Sequence, residues 1–375
     1  MAGIYLHIPF CKQACAYCNF HFSTLRKGKD ALLAALQREL ALRRDYLGGR
    51  PVGTVYFGGG TPSLLSAGEI SGIMEVIYRH YPVDTLKECT LEANPDDLTG
   101  AYLKSLRDTP VSRLSIGVQS FREQDLRYMN RAHTAQQAEY AVKAAQDAGF
   151  GNLTIDLIYG TPGLADADWR YNLAQVAALD IPHFSAYALT VEEGTRLHHR
   201  IRHGKTAPVD AEQSAAQFGI LTEFAAAAGF DHYEISNLAR PGHYALHNTS
   251  YWQGIPYAGI GPSAHSFDGS TRQWNVANNA LYTRHILQED RILHETETLT
   301  PVQRLNEYIM TSLRTMWGCS LERIEKEWSG DHAAHTEQQS RMYRETGWMK
   351  QEGRTLTLTD AGKLFADRIA GELFF

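Results

Sequence analysis

Three cysteines within eight residues, Cys11, Cys15 and Cys18, point most directly to chemistry in this 375-residue chain. They form C-x3-C-x2-C just after a short apolar stretch, and packing does not require thiols at that density. Cysteines this close in a reducing compartment serve more often as metal or cluster ligands than as structure. Three thiolates hold three irons of a [4Fe–4S] cube, whereas an electron-transfer cluster closes the fourth corner with a further Cys. An open corner implies a small-molecule ligand, and hence a reaction. Two other readings stay open on the cysteines alone. One is a structural zinc site completed by His21, since C-x3-C-x2-C-x2-H is close to permitted zinc spacings; the other is coincidence.

Further polar residues lie along the first half of the chain. GGGTP, from Gly58, is not a phosphate loop, because no Gly-Lys-Ser/Thr follows and the GxGxxG spacing is missing. By itself it means a tight turn with close backbone approach; opposite a metal loop, it offers bare amides and carbonyls to a polar ligand. Glu92, Gln119 and Asp156 fall near the ends of predicted strands. A carboxylate there accepts hydrogen bonds from amino or hydroxyl groups, or is simply a solvated loop residue. Arg131, in YMNRAHT, has the fork that suits a carboxylate. Cys89 and Cys319 read as packed thiols.

The elements that must position these residues alternate. GIYLHI (3–8), VGTVYF (52–57), TLKECTLEANP (85–95), SRLSIGVQS (112–120), NLTIDLIYG (152–160) and HFSAYALT (183–190) read as strands. Between them, apolar residues recur at helical spacing: Leu32, Leu33, Leu36 and Leu40; a helix from near Ala67, capped by Ser66 with Glu69 at the capping-box offset; Leu98, Leu103 and Leu106; 135–150, closing on Gly149; and 168–179. Largely apolar strands in this order predict a parallel sheet covered by helices. A doubly wound sheet fits the alternation too. The deciding clue is that Gly58 to Thr61, Glu92, Gln119, Asp156 and Thr190 all fall at or just past C-terminal strand ends, which makes one mouth fed by every strand. The prediction is an α/β fold, a partial (β/α)6 barrel over 1–229 that carries the cysteine loop at its start.

Beyond the barrel, 192–205 is basic and His-rich and 210–228 is an alanine-rich helix. Residues 230–300 form a Gly- and aromatic-rich extension containing HNTSYW, with little helical period. Residues 301–375 read as helices, a short TLTLT strand and a last helical stretch, a winged-helix-like module. Such modules often bind DNA, but 321–337 is acidic, so no nucleic-acid partner is expected. Hydrophobic residues are 43%, charged residues 21% and the net charge −6, which gives no pull toward nucleic acid or anionic membrane. No run of 18 apolar residues exists, and the stretch from Ile4 to Phe10 is interrupted by His7 and Pro9, unlike a signal peptide. The expectation is a cytoplasmic protein, with peripheral contact at the inner face of the cell membrane left open.

YLHIPFCKQACAYC resembles the opening of the radical S-adenosylmethionine (radical SAM) superfamily. With GGGTP, LEANP, SIGVQSF, RAH and DLIYG, the chain resembles the branch of oxygen-independent coproporphyrinogen III oxidase and its heme-chaperone relatives; YEISN and HNTSYW extend the likeness over nearly all of it. The resemblance implies a [4Fe–4S] cluster on Cys11, Cys15 and Cys18, with the amino and carboxylate groups of SAM on the open iron. It implies that Gly59, Gly60 and Thr61 bind the SAM amino group through their backbone. Glu92 would take the amino group or ribose, Arg131 the methionine carboxylate, and Tyr17 would pack beside SAM; Gln119, Asp156 and Tyr5 carry over to the same pocket. An electron donor would reduce the cluster, and SAM cleavage would give methionine and a 5′-deoxyadenosyl radical, which needs a dry cavity.

Two departures bear on the branch. Phe20 stands where the oxidase has a further cysteine, and only ten residues precede Cys11 where the oxidase has a longer lead. Both match the heme-chaperone relatives, so little coproporphyrinogen oxidase activity is expected. Those relatives bind heme and deliver it to apo-hemoproteins such as respiratory cytochromes or oxidases. They share the HNxxYW stretch, here His247, Asn248, Tyr251 and Trp252, although Leu246 stands where many have Arg. His247 is thus expected to contact heme, the alternative being a packed loop histidine, with His243, His265 or a partner chain as other axial donors. His198, His199, Arg200, Arg202 and His203 either meet the propionates or form a solvated turn.

Overall fold

The computed structural model describes residues 1–375. Six strands, β1 (Ala2–Ile8), β2 (Val52–Gly59), β3 (Glu88–Ala93), β4 (Arg113–Gln119), β5 (Leu153–Tyr159) and β6 (His183–Ala188), pair in parallel and in chain order. The expected partial barrel is what they build. Side chains alternate strictly. Ile4, Leu6, Val55, Phe57, Leu91, Leu114, Ile116, Ile155 and Phe184 turn outward to helices and are fully buried. The residues between them, Thr54, Tyr56, Thr90, Glu92, Arg113, Ser115, Asp156 and Ser185 among them, turn inward and line a polar lumen.

The covering helices are α1 (Lys29–Leu42), α2 (Ala67–His80), α3 (Gly100–Leu106), α4 (Glu123–Tyr128), α5 (Ala135–Asp147) and α6 (Asp166–Ala178). The expected capping box forms at α2: Glu69 N donates to Ser66 Oγ at 3.2 Å, and Ser66 N to Glu69 Oε2 at 2.7 Å. Then come α7 (Arg196–Arg202) and α8 (Ala211–Ala228). Next, β7 (Asp231–Glu234) and β8 (Asn237–Ala239) extend the sheet beside β6. HNTSYW lies on a helix, α9 (Leu246–Trp252), inside a stretch whose sequence shows little helical period; seven residues are too few for a period to register.

After α9 the chain returns to the far side of β1. There β9 (Tyr257–Ile260) pairs with β1 in parallel, followed by the antiparallel β10 (His265–Phe267), β11 (Thr271–Asn275) and, after α10 (Asn279–Glu289), β12 (His294–Thr298). A buried ionic knot fixes this wing to the barrel. Glu39 on α1, fully buried, accepts from Arg43 Nε (2.7 Å), Tyr282 OH (2.6 Å), Gly261 N (2.8 Å) and Asn275 Nδ2 (2.7 Å).

The tail has its own core of 15 buried residues. It runs α11 (Pro301–Leu313), β13 (Cys319–Ser320), α12 (Leu321–Glu327), α13 (Gly330–Gln339), α14 (Arg341–Glu345), β14 (Met349–Glu352), β15 (Thr355–Leu358), α15 (Asp360–Lys363) and α16 (Ala366–Glu372). The small sheet is ordered β13-β15-β14, antiparallel, the arrangement of a winged helix. Arg314 joins tail to barrel: it reaches Glu234 (3.2 Å) and lies 5.4 Å from the Trp252 ring centroid. No helix is long and apolar enough to cross a membrane.

Candidate functional site

The thiol loop follows β1 and is clamped from several sides. Cys11 N donates to Ser23 O (3.0 Å), and Lys12 pairs with Asp96 and Asp97 at the end of β3. Ala16 N donates to Met129 O (2.9 Å), while its own carbonyl accepts from Leu197 N of α7 (2.7 Å). Asn130 Nδ2 donates to Ala14 O (2.7 Å) from a left-handed backbone, φ 57°, a conformation that Asn tolerates better than most residues. Sequence reasoning missed this clamp; its only trace is Asn130 preceding Arg131.

GGGTP lies against the entry to that loop. A Cβ on Gly60 would fall 2.7 Å from Phe10 O and 2.8 Å from Ile8 O, and one on Gly59, at φ 108°, 2.6 Å from the His7 ring. Only glycine admits the two backbones this closely. Gly59 N donates to Glu92 Oε2 (3.1 Å), and Thr61 Oγ1 accepts from Asn94 Nδ2 (3.3 Å).

Arg131 is the hub of the mouth. Its Nη1 donates to Cys15 Sγ (3.1 Å) and its Nη2 to Asn94 Oδ1 (2.7 Å) and Gly117 O (2.8 Å), while Nε is buried without a partner. The fork expected to face a ligand carboxylate is thus held largely by the protein. Tyr17, half-buried with its phenol turned inward near Arg131, Cys15, Cys18 and Asp156, has that phenol pushed upward by burial. Gln119 ends β4 with φ 69°, an uncommon conformation for a non-glycine residue at the rim.

Burial dominates the electrostatics. It pushes the Cys11 thiol up to about 11 and raises Cys18 as well. It also holds the Glu92 carboxyl up at about 7, against hydrogen bonds from Tyr56 OH (2.9 Å) and Gly59 N, and Asp156 up at about 6. Although Glu92 keeps some surface, its carboxyl end lies inside. Tyr5, stacked on Tyr56 at 6.0 Å with its hydroxyl 3.2 Å from His7 Nδ1, completes this layer.

The donor set fits a thiolate-held cluster. All three cysteines are free and half-buried, and a guanidinium stands at one sulfur. As folded, the sulfurs are not gathered into a metal cage. His21 is engaged elsewhere: its Nε2 is 2.7 Å from Asn279 Oδ1 and its carbonyl meets His7 Nε2 at 2.8 Å.

His247 is not at the mouth. It sits under the lumen, at the N-terminal ends of the strands, with its backbone N donating to Glu88 Oε1 (2.9 Å). Nδ1 is 2.8 Å from Thr54 Oγ1 and Nε2 2.7 Å from Tyr251 OH; the ring is 1% exposed, and burial pulls it down to about 3, hence neutral. Both nitrogens are taken, and α9 folds beneath the barrel and delivers His247 as part of its floor. Asn248 helps to close the lumen, which retains a cavity of about 70 Å³ beneath Glu92 and Asp156. His265 is exposed and stacked near Trp274 (6.1 Å), and His243 is exposed in a loop.

This arrangement, a partial barrel with a three-cysteine loop and a glycine turn at one mouth, defines a class, and the comparisons agree. The radical SAM superfamily model matches residues 5–175, and the HemN C-terminal domain model residues 299–365. The chain is 34% identical over 375 residues to the heme chaperone HemW of Mycobacterium tuberculosis, covering 99% of this chain and 94% of that protein. It is 31% identical over 373 residues to HemW of Bacillus subtilis, covering 99% and 98%. Among solved structures, coproporphyrinogen III oxidase HemN of Escherichia coli superposes with a TM-score of 0.85 at 23% identity, covering 100% of this chain and 90% of that one, a likeness of fold. The chain belongs to the radical SAM superfamily, within its HemW/HemN family.

Proposed function

We propose that this protein is a heme-transfer protein on a radical SAM scaffold, which delivers heme to apo-hemoproteins such as respiratory cytochromes or oxidases. In this reading Cys11, Cys15 and Cys18 hold a [4Fe–4S] cluster served by an electron donor. SAM lies at its open corner, above Glu92 and Asp156 and beside Gly59, Gly60, Thr61, Gln119, Arg131, Tyr5 and Tyr17. The cluster supplies the electron for any SAM cleavage; the protein excludes water and orients polar groups.

The observation that carries the reading against the oxidase lies in the thiol loop: Phe20, two residues after Cys18 and exposed, stands where the oxidase has a further cysteine. Full-length similarity to proteins named heme chaperones supports the same choice.

Anaerobic reconstitution should load about four irons per chain, lost on substituting any of the three cysteines. SAM should change the paramagnetic resonance of the reduced cluster, and heme should bind near stoichiometrically and pass to an apo-cytochrome. One tight zinc with no iron uptake would replace the cluster by a structural metal. Protoporphyrinogen formed from coproporphyrinogen III at the rate of a genuine oxidase would replace transfer by decarboxylation.

A further inference from the structure

A second cavity, of about 340 Å³, lies outside the lumen between α9, the β9–β11 face and the tail. It has the size of a ligand pocket, and its walls are aromatic on both sides. Trp252, Tyr257 and Phe267 come from the barrel and its wing; Tyr308 and Trp328 come from the tail, their rings stacked at 5.8 Å and 20°. Cationic groups stand among the lining. Arg272 is paired with Glu307 and Arg323 with Glu327, each at 2.9 Å, whereas Arg304 is in no ion pair. Rings on two faces and a free guanidinium suit a flat, apolar, carboxylate-bearing molecule.

The lining contains no histidine, cysteine or methionine. Of its phenols, Tyr251 is engaged with His247 Nε2 (2.7 Å) and Tyr308 accepts from Ser320 N (2.8 Å), while the Tyr257 phenol makes no hydrogen bond and is pushed upward by burial, which disfavours the phenolate that would bind iron. We infer that this cavity is a porphyrin site that grips the macrocycle between aromatic faces and a carboxylate through Arg304, without a side-chain ligand to the iron. The inference rests on the heme-transfer reading and assigns it a place. The site takes its cargo between barrel and tail, and His247 serves it by fixing Tyr251 and α9.

The test titrates the full-length protein with heme and with metal-free protoporphyrin IX. Both should bind, with dissociation constants within about tenfold of each other. Arg304→Glu, at an exposed position with no ion pair to lose, should weaken both by about tenfold or more. Trp328→Phe should lower tryptophan-sensitised porphyrin emission even if affinity holds. Tyr257→Phe, which keeps the ring and removes a phenol with no hydrogen bond, should change the heme and protoporphyrin affinities alike. Heme binding without protoporphyrin binding, or selective loss of heme in Tyr257→Phe, would mean recognition through the iron and would overturn the proposal. If the wild type binds both while Arg304→Glu and Trp328→Phe change nothing, the site is wrong and the transfer reading stands. Wild type binding neither better than a porphyrin-adsorbing control would end both.

Discussion

Glu92 meets opposing demands: burial favours its neutral form, while Tyr56 and Gly59 donate to its charged form. The folded chain holds this proton to about 7, whereas an unfolded glutamate releases it near 4.5. Between those values the folded state binds more protons, so this group's contribution to stability falls as pH rises through the window. Glu92→Gln removes the titration. Its stability relative to wild type should therefore increase from about pH 5 to about pH 8, read from urea midpoints without added SAM. A constant difference across that range would mean the carboxyl is already ionised. Comparing one variant with its parent cancels the opposite contributions of buried neutral imidazoles such as His7 and His247, which burial lowers to about 4 and about 3. In the sequence, Cys11, Cys15, Cys18, Glu92 and Arg131 stood out by type and spacing. The depth of His247 did not, because a histidine between aromatics looks the same in a floor as in a ligand loop.

Among elements, α1 carries more than its apolar stripe suggests. Glu39 is the anchor on which Arg43 at the end of the same helix, Tyr282 of α10, Asn275 of β11 and Gly261 just after β9 converge. Glu39→Ala leaves a buried guanidinium without its anion, which should cost about 3–5 kcal/mol; equilibrium denaturation checks this. Loss below about 1 kcal/mol would show that water replaces the carboxylate. The six barrel strands were readable from their runs and the helices between them, and the inward polar positions were present as every second residue of ECTLEA and LTIDLIY. The wing was harder to read. Its strands β9 to β12 are three to five residues long, and β12, HETET, is exposed throughout, so no hydrophobic pattern marks it.

At the scale of the molecule, barrel and tail keep separate cores and meet along a mixed seam, where Ile235 packs on the tail core and Trp317 meets the Tyr233 and Tyr244 rings. Arg314, held by Asp367 of the tail, reaches across it to Glu234 and the Trp252 ring. Glu234 is 1% exposed and its Oε1 is met by Arg314, while Oε2 keeps Ser236 N and Asn237 Nδ2, so Arg314→Ala leaves one buried carboxylate oxygen unpaired and should cost about 1–3 kcal/mol. The loss should fall on the joint, with limited proteolysis near residue 300 faster than in wild type and the barrel fragment intact. Uniform digestion of both parts would show that the tail is integral to barrel stability.

The position of β1 has a consequence for how the protein is made. It is synthesised before every other strand yet lies in the interior of the twelve-stranded sheet, between β2 and β9. Its partner on one side, Tyr257–Ile260, follows more than 240 residues later. Pairing at that separation closes late. A nascent chain therefore carries its three thiols just after a strand flanked on one edge only, with the other edge open to solvent and to other chains. Iron loading during synthesis would meet a different loop from the one in the finished protein.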